Sequence, residues 1–253
     1  MMPRVSVIAS AAAPSGAARG PHCPSNSLSK CQVVVWDVDG TLADSTDLGF
    51  DCTNLVLRQN ALAEITRAQY LQGTRHTTPR RLAWHATGDA DAACGEALGA
   101  AFDATYVELV SRDTTGFYDG VDAIVERLRE DGRAQAVLSN ACGTYARAVV
   151  RANGVEGTMK RCYGADDVPR AKPAPDGVLM IMRELGVEDL GTVCYIGDAP
   201  SDGAAARAAG CVAVGVNWGS HDLRDAAHAE NFDVVFDTVD ELAAALFDDV
   251  RVV

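Results

Sequence analysis

The stretch Val33-Val34-Val35-Trp36-Asp37-Val38-Asp39-Gly40-Thr41-Leu42 is an apolar run that stops abruptly in two carboxylates, a glycine and a hydroxyl. Its length and β-branched content are those of a strand buried on both faces, and Gly40 marks where the chain leaves it. Asp37 and Asp39 then sit at the carboxyl end of that strand, where open α/β sheets place their ligands. On a continuing strand the two would face opposite ways; the glycine permits a turn that brings both to one site. A cap or turn accounts for one aspartate, but not for Asp-x-Asp-Gly-Thr as a set.

The texture after this strand divides the chain. Over 44–116 apolar residues recur at helical spacing, from Leu48 to Leu57, Ile65 to Leu71, Arg81 to Trp84 and Ala97 to Leu109, punctuated by Pro79 and by Gly88-Asp89. From Gly120 strands and helices alternate, which is the pattern of a parallel sheet. Strands are expected over 134–138, 161–163, 192–196, 212–216 and 234–236, and helices over 121–130, 144–152, 175–185, 203–209 and 239–247. The fold class is therefore α/β: a Rossmann-like core, 31–43 and 117–253, whose parallel sheet is flanked by helices, plus an inserted all-helical cap at 44–116. The insert is too long for an ordinary connection and is placed to act as a lid. Residues 1–30 contain Arg4, Arg19 and Lys30 but no acid, and are expected to form a disordered or targeting tail.

Three further strand ends carry polar residues. The strand at 134–138 runs into Ser139-Asn140, and the strand at 192–196 runs into Gly197-Asp198-Ala199-Pro200-Ser201-Asp202. Between them Lys172 sits in a rigid Ala-Lys-Pro-Ala-Pro loop. In a parallel sheet these ends share one edge, so Asp37, Asp39, Ser139, Lys172, Asp198 and Asp202 should converge. Taken singly, Ser139 and Asp202 read equally well as helix N-caps and Lys172 as a solvated side chain. Together they need protonation or a cation, because two carboxylates ~4 Å apart repel by about 4 kcal/mol at an effective dielectric of 20. Oxygen ligands of this kind favour a hard divalent ion, and a few carboxylates with water suit Mg²⁺. Only Lys30, Lys160 and Lys172 are lysines, every other base being arginine, which marks Lys172 as a compact point charge kept for a purpose.

The net charge of −13 disfavours non-specific binding to nucleic acid or an anionic membrane, yet is compatible with a phosphorylated substrate held by a metal and a few local cations. No run approaches the ~18 apolar residues of a spanning helix. The 8 cysteines are scattered without a Cys-x-x-Cys pair, against a zinc knuckle or redox dithiol. They read as buried thiols in a reducing compartment, so a cytoplasmic protein is expected, or an organellar one if 1–30 is a transit peptide.

The four motifs, in this order, resemble those of the haloacid dehalogenase-like hydrolase superfamily over nearly all of 32–247. Asp37-Val38-Asp39-Gly40-Thr41 matches the first motif, Ser139 the second, Lys172 the third, and Gly197-Asp198 with Asp202 the fourth. The resemblance implies a Mg²⁺-dependent phosphatase. Asp37 would be the nucleophile that forms an aspartyl-phosphate, and Asp39 the general acid and base, positioned by Thr41. Asp37, Asp39 through its backbone carbonyl, and Asp198 would hold the ion, with Asp202 supporting the metal waters or Lys172. Ser139, Asn140 and Lys172 would bind the phosphoryl group. An insert between the first and second motifs resembles the helical-cap subgroup, which includes phosphoglycolate phosphatase. Its dehalogenase members lack the second aspartate, so Asp39 argues for phosphoryl chemistry. Tyr118-Asp119-Gly120-Val121 departs from the subgroup's Pro-Gly-Val joint at Asp119, which leaves the substrate open.

Within the cap Arg75, His76, Arg80 and Arg81 form the densest basic cluster, placed to grip a distal acid group through Arg75 and Arg80 or to be a solvated helix face. His85, His221 and His228 read as structural. The function expected is hydrolysis of a small organic phosphate monoester, phosphoglycolate-like or a sugar phosphate, by a monomer or homodimer. The alternative is a phosphomutase of the β-phosphoglucomutase type, and a less favoured one is a non-catalytic regulatory module on the same scaffold.

Overall fold

Val33–Trp36 forms β1, and every side chain in it is exposed by 2% or less. Burying four such side chains on both faces of one strand stabilises the fold by roughly 2 kcal/mol each, so this strand belongs at the centre of the sheet. The computed structural model, which describes residues 25–248, places it there. β1 pairs in parallel with β2 (Ala134–Leu138) on one side and β4 (Val193–Gly197) on the other, Val33 standing opposite Ala134 and Val193. β3 (Met159–Tyr163), β5 (Val212–Val216) and β6 (Val234–Phe236) complete a six-stranded sheet in the order β3-β2-β1-β4-β5-β6. Every neighbouring pair in it is parallel.

The two faces divide by the strand period of two. Val34 and Trp36 pack with α5 (Val121–Glu130), α6 (Gly143–Ala152) and α10 (Val239–Phe247). Val33 and Val35 pack with α7 (Asp176–Leu185) and α8 (Pro200–Ala209) on the opposite face. A short α9 (Ala226–Ala229) precedes β6. The sheet is thus flanked by helices on both sides, with the Rossmann-like strand order of a doubly wound fold.

Between β1 and α5 the chain forms α1 (Thr46–Gln59), α2 (Arg67–Gly73), α3 (Thr78–Thr87) and α4 (Gly95–Leu109). Its outgoing and returning connections run side by side, with Asp44 N donating to Gly116 O at 3.0 Å and Tyr118 N to Leu42 O at 3.0 Å. Pro79 opens α3 rather than interrupting it, where its missing N–H costs nothing. α3 and α4 pack backbone to backbone: a Cβ on Gly95 would lie 2.6 Å from the Pro79 carbonyl oxygen.

Several element ends differ from the expected ones for local reasons. β4 begins at Val193 because Leu190–Thr192 is a 3₁₀ turn capped by Asp189, whose side chain accepts from Gly191 N. α8 begins at Pro200, three residues earlier than expected, which draws Asp202 into its first turn. The tail boundary at residue 30 also moves. Ser25–Lys30 is a 3₁₀ segment in which Leu28 is 1% exposed and its carbonyl accepts from Arg133. The rest of the expected tail, with Cys23, lies outside the described residues. Among the described residues the cysteines are thiols rather than disulfides, and Cys94, Cys142 and Cys162 are only half-buried, contrary to expectation. No described helix is long and apolar enough to cross a membrane.

Candidate active site

Strand order decides where a site can form. The chain winds from β1 outward to β3, returns to β4 on the other side of β1, and then winds outward to β6. β1 and β4 flank this switch point, so the loops at their carboxyl ends part and leave a crevice. Asp37 follows β1 directly, its N–H continuing the ladder to Ile196 O at 2.9 Å, and its side chain is buried. The chain then reverses, with Leu42 and Ala43 both donating to Val38 O. Gly40 permits this with φ +74°, and a Cβ there would stand 2.4 Å from Asp198 Oδ2. Only glycine satisfies both requirements.

Opposite Asp37, Asp198 follows β4 and Asp202 lies in the first turn of α8. One carboxylate oxygen from each of Asp37, Asp198 and Asp202 falls within 4.8 Å of the others, and all three residues are buried. Lys172 Nζ enters this group, 2.8 Å from Asp37 Oδ1 and 2.7 Å from Asp202 Oδ1. Its loop is tied down by Asn140, whose side-chain amide donates to the Lys172 carbonyl at 3.2 Å. Ser139 follows β2 at 1% exposure, its hydroxyl oxygen accepting from Ala141 N at 3.0 Å. Asp198 accepts from Ser220 N at 2.7 Å, with His221 Nδ1 at 3.5 Å.

The charge balance follows from this geometry. Burial pushes the Asp37 carboxyl well above the usual range, and the Asp202 and Asp198 charges push it further, against the pull of Lys172. Burial likewise raises Asp202. Burial alone would lower Lys172, but the Asp202 and Asp37 carboxylates hold it well above the ordinary lysine value, so it stays an ammonium. Three carboxyl groups therefore face one ammonium in a buried site. That deficit, and an all-oxygen donor set, fit a hard divalent cation.

Asp39 behaves differently. Its carboxylate turns towards the helices that follow, where Oδ1 accepts from Ser45 Oγ at 2.5 Å and Tyr145 Oη at 2.6 Å. The cleft that joins these groups is small, with a cavity volume of about 80 Å³. Asp37, Asp39, Ser139, Asn140, Lys172, Asp198 and His221 meet there with Thr74, His76 and Arg81 from the region of α2 and α3.

The haloacid dehalogenase-like hydrolase family model matches residues 34–216, which spans β1 to β5 and every buried charge above. The chain belongs to the haloacid dehalogenase-like hydrolase family. A phosphoglycolate phosphatase from Pseudomonas putida is 32% identical over 222 residues, 85% of this chain and 78% of its own. One from Xanthomonas campestris pv. campestris is 31% identical over 189 residues, 74% of this chain and 84% of its own. Among solved structures, CbbY from Rhodobacter sphaeroides in complex with phosphate superposes with TM-score 0.73 at 21% identity, covering 85% of this chain and 99% of that one. A mutant of CbbY in complex with xylulose-(1,5)bisphosphate gives the same TM-score. These two share the fold.

Within this hydrolase the expected residues divide. Asp37, Ser139, Lys172, Asp198 and Asp202 converge, and of the two supporting roles considered for Asp202 the structure displays the contact to Lys172. The Asp39 carboxylate is not part of the aspartate trio and bonds to Ser45 and Tyr145 instead, which leaves its backbone carbonyl, the group expected to face the ion, as its link to that trio. Thr41 does not position Asp39. Its hydroxyl is buried without a hydrogen-bond partner, and its carbonyl accepts from Trp218 Nε1 at 3.2 Å. Arg75 and Arg80 do not line the cleft. Arg75 lies over the Trp84 ring and Arg80 pairs with Asp91 in solvent, while Arg81 and His76 face inwards.

Four residues that this hydrolase brings to the site carried no signal strong enough in sequence. Ser45 precedes α1 and reads as an N-cap, yet makes no cap bond and donates to Asp39 instead. Tyr106 and Tyr145 lie in apolar helical stretches and read as core. His221, read as structural, stands between Asp198 and Thr74 Oγ1, 3.5 Å from each. Burial would lower its pKa, but Asp198 raises it.

Proposed function

We propose that this chain is a Mg²⁺-dependent phosphatase that hydrolyses a small organic phosphate monoester through an aspartyl-phosphate on Asp37. The observation that carries the reading is the buried group at the switch point, in which Lys172 bridges Asp37 and Asp202 beside Asp198. Phosphoryl transfer asks a protein mainly for alignment and fixed charge, and this group supplies both. Asp37 and Asp198, with the Asp39 backbone carbonyl, would hold the ion. When bound, it supplies positive charge against the transferring phosphoryl oxygens and favours the ionised form of Asp37.

The residues of the chain then act in two displacements. The Asp37 carboxylate bonds to phosphorus, and the P–O ester bond breaks with its electron pair on the leaving oxygen. Asp39 gives that oxygen a proton. Asp39 next takes a proton from water, whose oxygen attacks phosphorus and frees Asp37 and inorganic phosphate. Ser139 and Lys172 bind the phosphoryl oxygens throughout, and Asn140 holds the Lys172 loop in place. Residues 44–116 serve as a cap over this site, excluding water while the proton moves.

For substrate, the relatives named phosphoglycolate phosphatase support a monoester whose far end is a carboxylate. Arg81 supports the same class, since its Nε and Nη2 are buried at the cleft without a hydrogen-bond partner. Release of inorganic phosphate from p-nitrophenyl phosphate and from phosphoglycolate, with Mg²⁺ present, tests the reading. Asp37→Asn should lower kcat by about 10³-fold or more on both. Turnover by that variant at the parent rate would overturn the mechanism.

A further inference from the structure

The hydrogen bonds given to Asp39 all end on one oxygen. Oδ1 receives Ser45 and Tyr145, and Tyr106 Oη lies 3.5 Å away. Tyr106 has a single hydroxyl hydrogen, and Tyr145 Oη at 3.1 Å is nearer than the Ser45 carbonyl at 3.4 Å. The hydroxyls therefore form a relay, Tyr106 to Tyr145 to Asp39. The two rings are stacked with centroids 4.2 Å apart and planes 14° from parallel, and both are buried, so neither hydroxyl swings away without unstacking. Burial, and after it the Asp39 charge, holds both phenols well above the usual tyrosine range, so each remains a donor.

A carboxyl group that protonates a leaving oxygen must carry its proton on the oxygen that faces the substrate. We propose that Tyr145, backed by Tyr106 and assisted by Ser45, is a positioning residue that reserves Asp39 Oδ2 for the transferable proton by filling Oδ1 with hydroxyl donors. The inference rests on Asp39 being the general acid. In the step it serves, Asp37 bonds to phosphorus, the ester P–O bond breaks with its electrons on the leaving oxygen, and the Oδ2 proton passes to that oxygen. In the return step Oδ2 takes the proton of the attacking water. The relay also joins α4 to α6, so Asp39 is aligned only when these helices are packed together.

The test uses the fact that p-nitrophenoxide departs without a proton whereas an alkoxide does not. Tyr145→Phe keeps the ring and removes only the donor. It should lower the ratio of kcat/KM on phosphoglycolate to kcat/KM on p-nitrophenyl phosphate, which reports the leaving-group step and not the shared return step, about fivefold, and Tyr106→Phe should move the ratio the same way by less. A ratio unchanged in Tyr145→Phe, whether both rates hold or both fall together, overturns the assignment. Should Tyr145→Phe fail to fold, Ser45→Ala decides by the same ratio. Asp39→Asn tests the underlying reading separately: it should depress the ratio far more than any of these, and an unchanged ratio there removes the general acid itself.

Discussion

Arg81 is framed by aromatic rings, its guanidinium carbon 4.5 Å from the Phe102 centroid and 5.3 Å from that of Tyr70. One nitrogen reaches Tyr70 Oη at 3.4 Å, and Nε and Nη2 are buried without a hydrogen-bond partner. A buried, preorganised guanidinium of this kind suits a carboxylate, and a charge-assisted contact of that type contributes about 1.5–3 kcal/mol. Arg81→Gln should therefore raise KM for phosphoglycolate by about 10- to 100-fold more than KM for p-nitrophenyl phosphate. Arg75→Ala and Arg80→Ala should change either KM by less than about twofold, since both side chains are solvated. Steady-state kinetics on the two esters checks this, and an effect of Arg80→Ala as large as that of Arg81→Gln would sink the assignment. Composition could not choose among these arginines. Adjacent residues on a helix point about 100° apart, and only the packing of α3 on α4 sets which of Arg80 and Arg81 faces the cleft.

At the scale of elements, α4 and α6 meet across the seam that the tyrosine relay spans, and Asp103 of α4 is half-buried in it beside Cys142. Burial raises the Asp103 carboxyl to about 6, the nearby Arg81 charge and the Cys142 contact opposing it. The folded protein thus takes up this proton at higher pH than the unfolded chain does. Above pH 6 the carboxylate is charged in both states and the folded form bears the full cost, which shrinks as pH falls through 6 and vanishes below ~4. The cost is about 3 kcal/mol before solvent screening and about 1–2 kcal/mol after it, the residue being partly exposed. Asp103→Asn should raise Tm by about 3–5 °C at pH 8 and leave it nearly unchanged at pH 4. An equal gain at both pH values would remove the titration as its cause. Among the elements themselves, β1, β2, β5 and β6 lie where hydrophobic pattern and turn residues place them, because both signals are local. The start of α8 was less legible: Pro200-Ser201-Asp202 reads as a loop, and its helical conformation becomes evident only when Asp202 Oδ2 is seen accepting from Ala199 N at 2.9 Å.

Over the whole molecule, the switch point draws together residues from 37 to 221, and their charges make binding and folding one problem. Three buried carboxylates against one ammonium destabilise the folded state unless a cation joins them. If Mg²⁺ is that cation, saturating it at about 100 times its Kd contributes about 2.7 kcal/mol, enough to raise Tm by about 5–10 °C in a domain of this size. Asp198→Ala should abolish that shift and should itself be more stable than the parent in EDTA, because it relieves the repulsion. Differential scanning calorimetry with and without Mg²⁺ measures both, and a Tm shift that survives Asp198→Ala would place the ion elsewhere.

Sequence alone determined the central strand, the parallel order implied by alternating strands and helices, and the convergence of Asp37, Ser139, Lys172 and Asp198. Each of these follows from strand burial and from the rule that parallel strands end on one edge. Tertiary structure decided the rest: that Asp39 turns from the aspartate trio to a tyrosine relay, that Thr41 leaves it alone, and that Arg81 rather than Arg75 or Arg80 faces the cleft. Ser45, Tyr106 and Tyr145 lie in stretches with ordinary helical reasons to exist, and what assigns them to Asp39 is the docking of α4 against α6. Contacts of that kind form between elements far apart in the chain, and no local pattern encodes them.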